Sequence, residues 1–172
     1  AVAQPLILRE FPDWTGAKIG SIPSTYAAVY AVGQIVNGTL GERFGARRMM
    51  TCALLIAALT NLLFAMTSSF EMMRLLWAVN GWGQSAGWAL MVHTIANWNR
   101  SERRGFLIGR LSTCYQVGNV LSWVLAGYLC EWWGWRAAFL VPSLFVFPMA
   151  LVFFLFLRDT PQQAGFARVR DD

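Results

Sequence analysis

Charge is what this sequence has least of. Lys, Arg, Asp and Glu together make up 13% of its 172 residues, against about a quarter in a soluble domain. That is too little to clothe a solvated surface. Cysteine and histidine are scarce too. Cys52, Cys114 and Cys130 share no CxxC or Cys/His spacing, and His93 is the single imidazole. A metal site is therefore not expected, and the thiols read as buried and free. Without a partner, His93 offers neither a metal site nor a proton relay. No Ser/His/Asp set is visible, so an enzyme is disfavoured and no cofactor is expected.

What the chain does have is apolar length. Hydrophobic residues make 56% of it and the mean hydropathy is +0.45. The few charges bunch between uncharged stretches at 17–40, 49–67, 72–98, 105–130 and 137–157, each near the roughly 20 residues that cross a bilayer as helix. The expected fold is all-α, a multi-span transmembrane helix bundle whose first partner is the lipid bilayer. Residues 1–8, AVAQPLIL, are apolar but too short to cross, and read as the end of a further span.

The net charge of +5 does not point to nucleic acid, because the basic residues sit at span ends. Arg43, Arg47 and Arg48 share one loop, and Arg100, Arg103 and Arg104 the loop two spans on. The alternate loops carry almost no positive charge, so the Arg-rich loops and the tail RDTPQQAGFARVRDD are expected in the cytoplasm. Pro23, Pro142 and Pro148 fall inside spans, where kinks are expected.

One of those loops has an echo. GTLGERFGAR at 38–47 aligns with GYLCEWWGWR at 127–136, matching Gly38 with Gly127, Leu40 with Leu129, Glu42 with Glu131, Gly45 with Gly134 and Arg47 with Arg136 at a constant offset of 89 residues. Three spans separate the copies. An odd number of crossings places them on opposite sides of the membrane, which makes the repeat inverted.

Polar residues inside spans recur at helical spacing. Tyr26, Tyr30, Gln34 and Asn37 share one face of the 17–40 span; Asn80, Gln84 and Trp88 repeat the pattern in 72–98, and Ser112, Tyr115, Gln116, Asn119 and Ser122 in 105–130. Such groups are costly in lipid and face either a water-filled path or another helix. The path makes Tyr26, Tyr30, Gln34, Asn80, Gln84, Trp88, Tyr115 and Asn119 candidate substrate-binding residues. The alternative is interhelical hydrogen bonding, worth about 0.6 kcal/mol each. Arg110 has a stem long enough to snorkel outward. The 49–67 and 137–157 spans carry little polar lining and read as lipid-facing props. Gly83 with Gly87, and Gly105 with Gly109, are spaced for close helix contact.

GTLGERFGARR at 38–48 resembles the signature loop between the second and third helices of the major facilitator superfamily, with Glu42 where the family usually has Asp and Ala46 at a usually basic position. The resemblance implies a cytoplasmic gate lock built from Gly38, Glu42, Arg43, Gly45, Arg47 and Arg48. NGWGQSAGW at 80–88, SERRG at 101–105, QVGN at 116–119, GWRAAFLVPS at 134–143 and RDTPQ at 158–162 are together similar to the organophosphate:phosphate antiporter family. That implies a major facilitator N-terminal half with inverted three-helix repeats: the end of the first helix and an external loop at 1–15, helices two to six at 16–157, and a cytoplasmic linker at 158–172 toward a C-terminal six-helix half.

The implied function is alternating-access transport of a small organic anion, an organophosphate in exchange for inorganic phosphate, in a cell membrane such as the bacterial inner membrane. A transporter-like receptor sensing a sugar phosphate, or a carrier for a non-phosphate organic anion, are the alternatives. The chain departs from the phosphate-ester carriers at Gln34, where they have Lys, at Tyr115, where they have His, and at Ala89 and Leu90, where they have Pro-Pro. Two potential cations are thereby lost from the candidate site.

Overall fold

The computed structural model describes residues 2–167 and 169, and every regular element in them is helical. A short α1 (Gln4–Glu10) leads through a turn to α2 (Gly16–Phe44), followed by α3 (Ala46–Met66), α4 (Phe70–Gln84), α5 (Ala86–Trp98), α6 (Ser101–Trp133), α7 (Ala137–Phe156) and a 3-10 turn at Pro161–Ala164. Thr15 caps α2 by accepting the Lys18 N–H at 3.2 Å.

The stretch expected as one span at 72–98 is two helices that meet at Ser85. The backbone there stays right-handed (φ −61°, ψ −22°), so the chain keeps its direction. The interruption has a local cause. The Trp82 carbonyl accepts from the Asn37 amide at 2.9 Å and from the Ser85 hydroxyl at 2.6 Å, and side-chain donors of this kind compete with the helical ladder.

Helix α2 packs along α4, and α3 packs along both α4 and α7. One stripe of α2 lets it approach both α4 and α5. Gly33, Asn37 and Gly41 are buried at steps of four. A Cβ at Gly33 would strike the Ser85 hydroxyl, and one at Gly41 the Leu90 side chain. Small residues at these positions are what let the backbones close up. Helix α6 stands apart, with only Leu129 and Cys130 buried.

Two apolar cores close the ends of the bundle. At one end Phe64, Trp77 and Phe139 meet with ring centroids 4.5–5.5 Å apart, above Ile22 and Met73. At the Arg-rich end Ala46, Met50, Ala53, Ala86 and Leu90 pack together, with Phe153 and Leu157 against them. Helices α3 and α7 are long and apolar enough to cross a membrane, with mean hydropathies of 2.0 and 2.5. Only 11% of the α7 window is buried, so its apolar surface points outward, as a surface against acyl chains would.

The two aligned loops adopt the same backbone turn. Gly45 (φ 82°, ψ 150°) ends α2, and Gly134 (φ 80°, ψ 169°) ends α6. This is a region open essentially to glycine alone. Their neighbours lie at opposite ends of the bundle. The Gly45 turn meets Asp159, just past α7, whereas the Gly134 turn meets Glu10, just before α2. There Trp135 Nε1 donates to Glu10 at 2.7 Å, and Arg136 pairs with the same carboxylate at 2.6 Å and donates to Ser68 at 3.2 Å. In each case the loop of one triplet is held by the end of the other triplet's third helix, Asp159 past α7 in one and Ser68 past α3 in the other. Inverted repeats require that relation.

The Glu10 clasp carries a pH signature. Hydrogen bonds from Arg136, and then from Trp135, hold the Glu10 carboxyl below its ordinary 4.5. A depressed carboxyl contributes stability that is complete above the ordinary value and is lost as pH falls through the folded-state value. The difference in unfolding temperature between wild type and Glu10→Gln is therefore expected to hold from pH 7 to about 5 and to shrink below 4.5. A gap unchanged down to pH 3.5 would show that the clasp does not titrate.

Candidate functional site

Between the two cores the bundle leaves a cavity of about 550 Å³ that opens toward a second of about 390 Å³, with Tyr30, Trp88 and Tyr115 lining both. Together they fall within the range of small-molecule sites. Helix α2 supplies Tyr26 and Tyr30 to the larger one and Gln34 to the smaller; Gln84 and Trp88 come from α4 and α5, and Tyr115, Ser112 and Gln116 from α6. Trp88 and Tyr115 meet edge to face at 6.2 Å, and Tyr26 stacks on Tyr30 at 5.8 Å.

Six of the eight expected binding residues thus line one continuous space, and two do not. Asn80 is fully buried. Its amide donates to Thr60 Oγ1 at 2.7 Å, and its carbonyl accepts from Gln84. It shares a helical face with Gln84, but α3 passes directly over it and takes its hydrogen bonds. Asn80 is therefore a tether between helices that orients Gln84, whose carbonyl in turn accepts from the Tyr26 hydroxyl at 3.4 Å. Asn119 lines neither cavity; one turn beyond Tyr115, it donates to Gln116 at 3.3 Å. Conversely, α3 is more than a prop. Met50, Ala53, Leu54, Ala57 and Asn61 form part of the larger cavity's wall, because the two alanines leave room where longer side chains would fill it. Sequence reading passed over α3 because small apolar residues carry no polar signal.

At the Arg-rich end the expected lock is only partly assembled by the residues expected to form it. Glu42 is exposed and makes no side-chain hydrogen bond or ion pair among the described residues. Arg48 is exposed as well, and Arg43 lies over Phe44 at 5.6 Å. Gly38 faces Ala89 at an ordinary 4.0 Å; the tight approach is at Gly41. The acid that engages the loop is Asp159. Its Oδ1 accepts the Arg47 N–H at 2.6 Å. Gly45, as N-cap of α3, has no side chain to offer, so Asp159 caps the helix from across the bundle and sets an anion on its positive end. Arg47 adds a hydrogen bond to the Phe154 carbonyl and a stack on the Phe154 ring at 4.7 Å. Asn97 donates to the Asp159 carbonyl and Trp98 to the Arg158 carbonyl, at 3.2 and 2.9 Å. Asp159 was legible only as part of the polar tail and of the RDTPQ stretch within it. Nothing local to it announces a partner 112 residues away.

No group of three or more His, Cys, Asp or Glu side chains converges on a metal-sized site among the described residues.

Inverted helix triplets enclosing a largely apolar cavity edged by amides and hydroxyls, with an apolar outer surface, are the nested arrangement of membrane-integral transporter folds. The chain belongs to the Major Facilitator Superfamily, whose family model matches residues 1–172. Among its relatives are a probable hexose phosphate transport protein of Chlamydia pneumoniae, 35% identical over 95% of this chain and 36% of its own length, and a putative glycerol-3-phosphate transporter 3 of Arabidopsis thaliana, 33% identical over 87% and 30%. Sugar phosphate exchanger 3 of Xenopus laevis is 31% identical over 90% and 32%. These are members of the organophosphate:phosphate antiporter family. The chain spans about a third of the length of the curated relatives it matches.

Proposed function

We propose that the chain is the N-terminal six-helix half of a transporter that exchanges an organophosphate for inorganic phosphate across a cell membrane. The convergence of α2, α5 and α6 on one space at Tyr30, Trp88 and Tyr115 carries this reading. The relatives' names supply the substrate class. Binding takes place between this half and a second one, and the halves rock so that the site opens to one side at a time. Chemistry on the substrate is not required. Filling the site makes closure favourable only when substrate is bound, which turns rocking into exchange. The contacts of Gly45, Arg47 and Asp159 support reading the Arg-rich end as the part of the bundle that changes partners during rocking, with the residues of 38–48 as its gate.

The test is uptake by the full-length protein in proteoliposomes. Vesicles loaded with phosphate are expected to take up labelled hexose 6-phosphate, and empty vesicles to take up little. Ligand binding without uptake would replace the transport reading with a sensory one. Uptake of a labelled carboxylate but no phosphate ester would replace the substrate class.

A further inference from the structure

The two joined cavities have a neutral wall. Among the described residues, none that lines either of them is Lys, Arg, His, Asp or Glu. A buried dianion needs cationic partners beside its hydrogen bonds, and this wall supplies none among the described residues, so it is a poor surface for a phosphate group. What it offers is suited to something else. Trp88 and Tyr115 keep 38% and 58% of their surface open, so they present aromatic surface to the cavity instead of sealing it in a core. Around them stand amides and hydroxyls, Gln34 and Gln116 among them, each able both to donate and to accept.

Resting on the organophosphate reading, we infer that Tyr30, Trp88 and Tyr115 form the subsite for the uncharged, hydroxyl-bearing carbon skeleton of the substrate, a sugar ring, and that its phosphate is held by groups other than these. The chemistry matches on both counts. The C–H face of a sugar ring is weakly positive and sits on the negative face of an aromatic ring, while its hydroxyls take the amide and hydroxyl partners at the rim. Inorganic phosphate has no such skeleton, so the subsite separates the two exchanged substrates. The sugar phosphate uses it and phosphate does not.

The experiment compares two exchanges catalysed by the full-length protein in proteoliposomes: phosphate for phosphate, and hexose 6-phosphate for phosphate. Trp88→Ala is expected to raise the half-saturating concentration of hexose 6-phosphate about five- to tenfold more than it raises that of phosphate in phosphate for phosphate exchange. Trp88→Phe, which keeps an aromatic face, is expected to restore most of the loss. Equal damage to both exchanges, or none to either, would overturn the inference. If wild type performs neither exchange, the transport reading fails, and the subsite is judged by equilibrium binding to the solubilised protein. There Trp88→Ala must weaken hexose 6-phosphate more than it weakens phosphate. Absence of hexose 6-phosphate binding to wild type would overturn the subsite as well.

Discussion

Gly45→Ala is expected to destabilise the full-length protein by about 2–5 kcal/mol, and its structural counterpart Gly134→Ala by only about 1–3 kcal/mol. Both glycines hold nearly the same positive φ, so alanine meets the same backbone strain at each, about 1–3 kcal/mol. Their surroundings differ. A Cβ at Gly134 meets nothing within 4 Å, whereas at Gly45 it collides with the Asp159 carboxylate. Displacing that carboxylate removes the cap on α3, a loss of about 1–2 kcal/mol. Asp159→Ala should therefore reproduce the difference between the two glycine variants, and Gly45→Ala combined with Asp159→Ala should cost little more than Gly45→Ala alone. Thermal unfolding in detergent at one fixed scan rate ranks the four proteins. Gly134→Ala falling as far as Gly45→Ala would show that the Asp159 contact adds nothing to the strain. Transport should follow the same order. Asp159→Asn, which takes the charge from the α3 N-terminus, is expected to slow exchange more than Glu42→Ala, which removes no side-chain hydrogen bond or ion pair among the described residues.

The same loops show where sequence reading succeeds and where it stops. Span positions and the inverted repeat were legible because bilayer length and a glycine-only turn impose themselves on local sequence: Gly45 and Gly134 recur because no other residue closes that turn cheaply. The polar faces were legible because α-helical spacing repeats every three to four residues. That spacing says which face a residue shares, but not what packs over it. Asn80 and Gln84 lie on one face, yet Thr60 of α3 reaches the first and leaves the second at the cavity. Asp159 escapes sequence reading for a related reason. Glu42 enters through the likeness of 38–48 to a signature loop, and only the packing of α7 along α3 brings Asp159 to the N-terminus that needs an anion. The break at Ser85 likewise depends on Asn37, which arrives from another helix.

The largest effect is expected at Gly81, where helix α4 meets the backbone of α2. A Cβ there would lie 2.8 Å from the Tyr26 carbonyl oxygen and 3.1–3.3 Å from its ring. A carbonyl inside a helix cannot swing aside, so Gly81→Val must push the two helices apart, at a cost of about 3 kcal/mol or more, the upper end for overpacking. Gly83, two residues on, gives the contrast. A Cβ there meets the Ile56 Cγ2 methyl at the same 2.8 Å and its Cβ at 3.1 Å, so the closest obstacle is an apolar side chain instead of a backbone carbonyl, which stands 3.5 Å away. Gly83→Val should cost about 1–2 kcal/mol. Gly20, with nothing within 4 Å inside α2, should tolerate alanine or gain up to about 1 kcal/mol in helix propensity. Function separates the first two more sharply than stability does. Tyr26 lines the cavity, bonds to Gln84, stacks on Tyr30 and packs at a tilt against Trp77, so moving α2 at this level misplaces the wall that α2 and α4 share. Exchange per folded molecule is accordingly expected to fall more than tenfold in Gly81→Val, since misplacing a binding group by about 1 Å is that damaging, and to stay within about twofold in Gly83→Val. Equal losses of exchange in the two variants would mean that the placement of Tyr26 does not govern binding, and the cavity would then have to be sought away from α2.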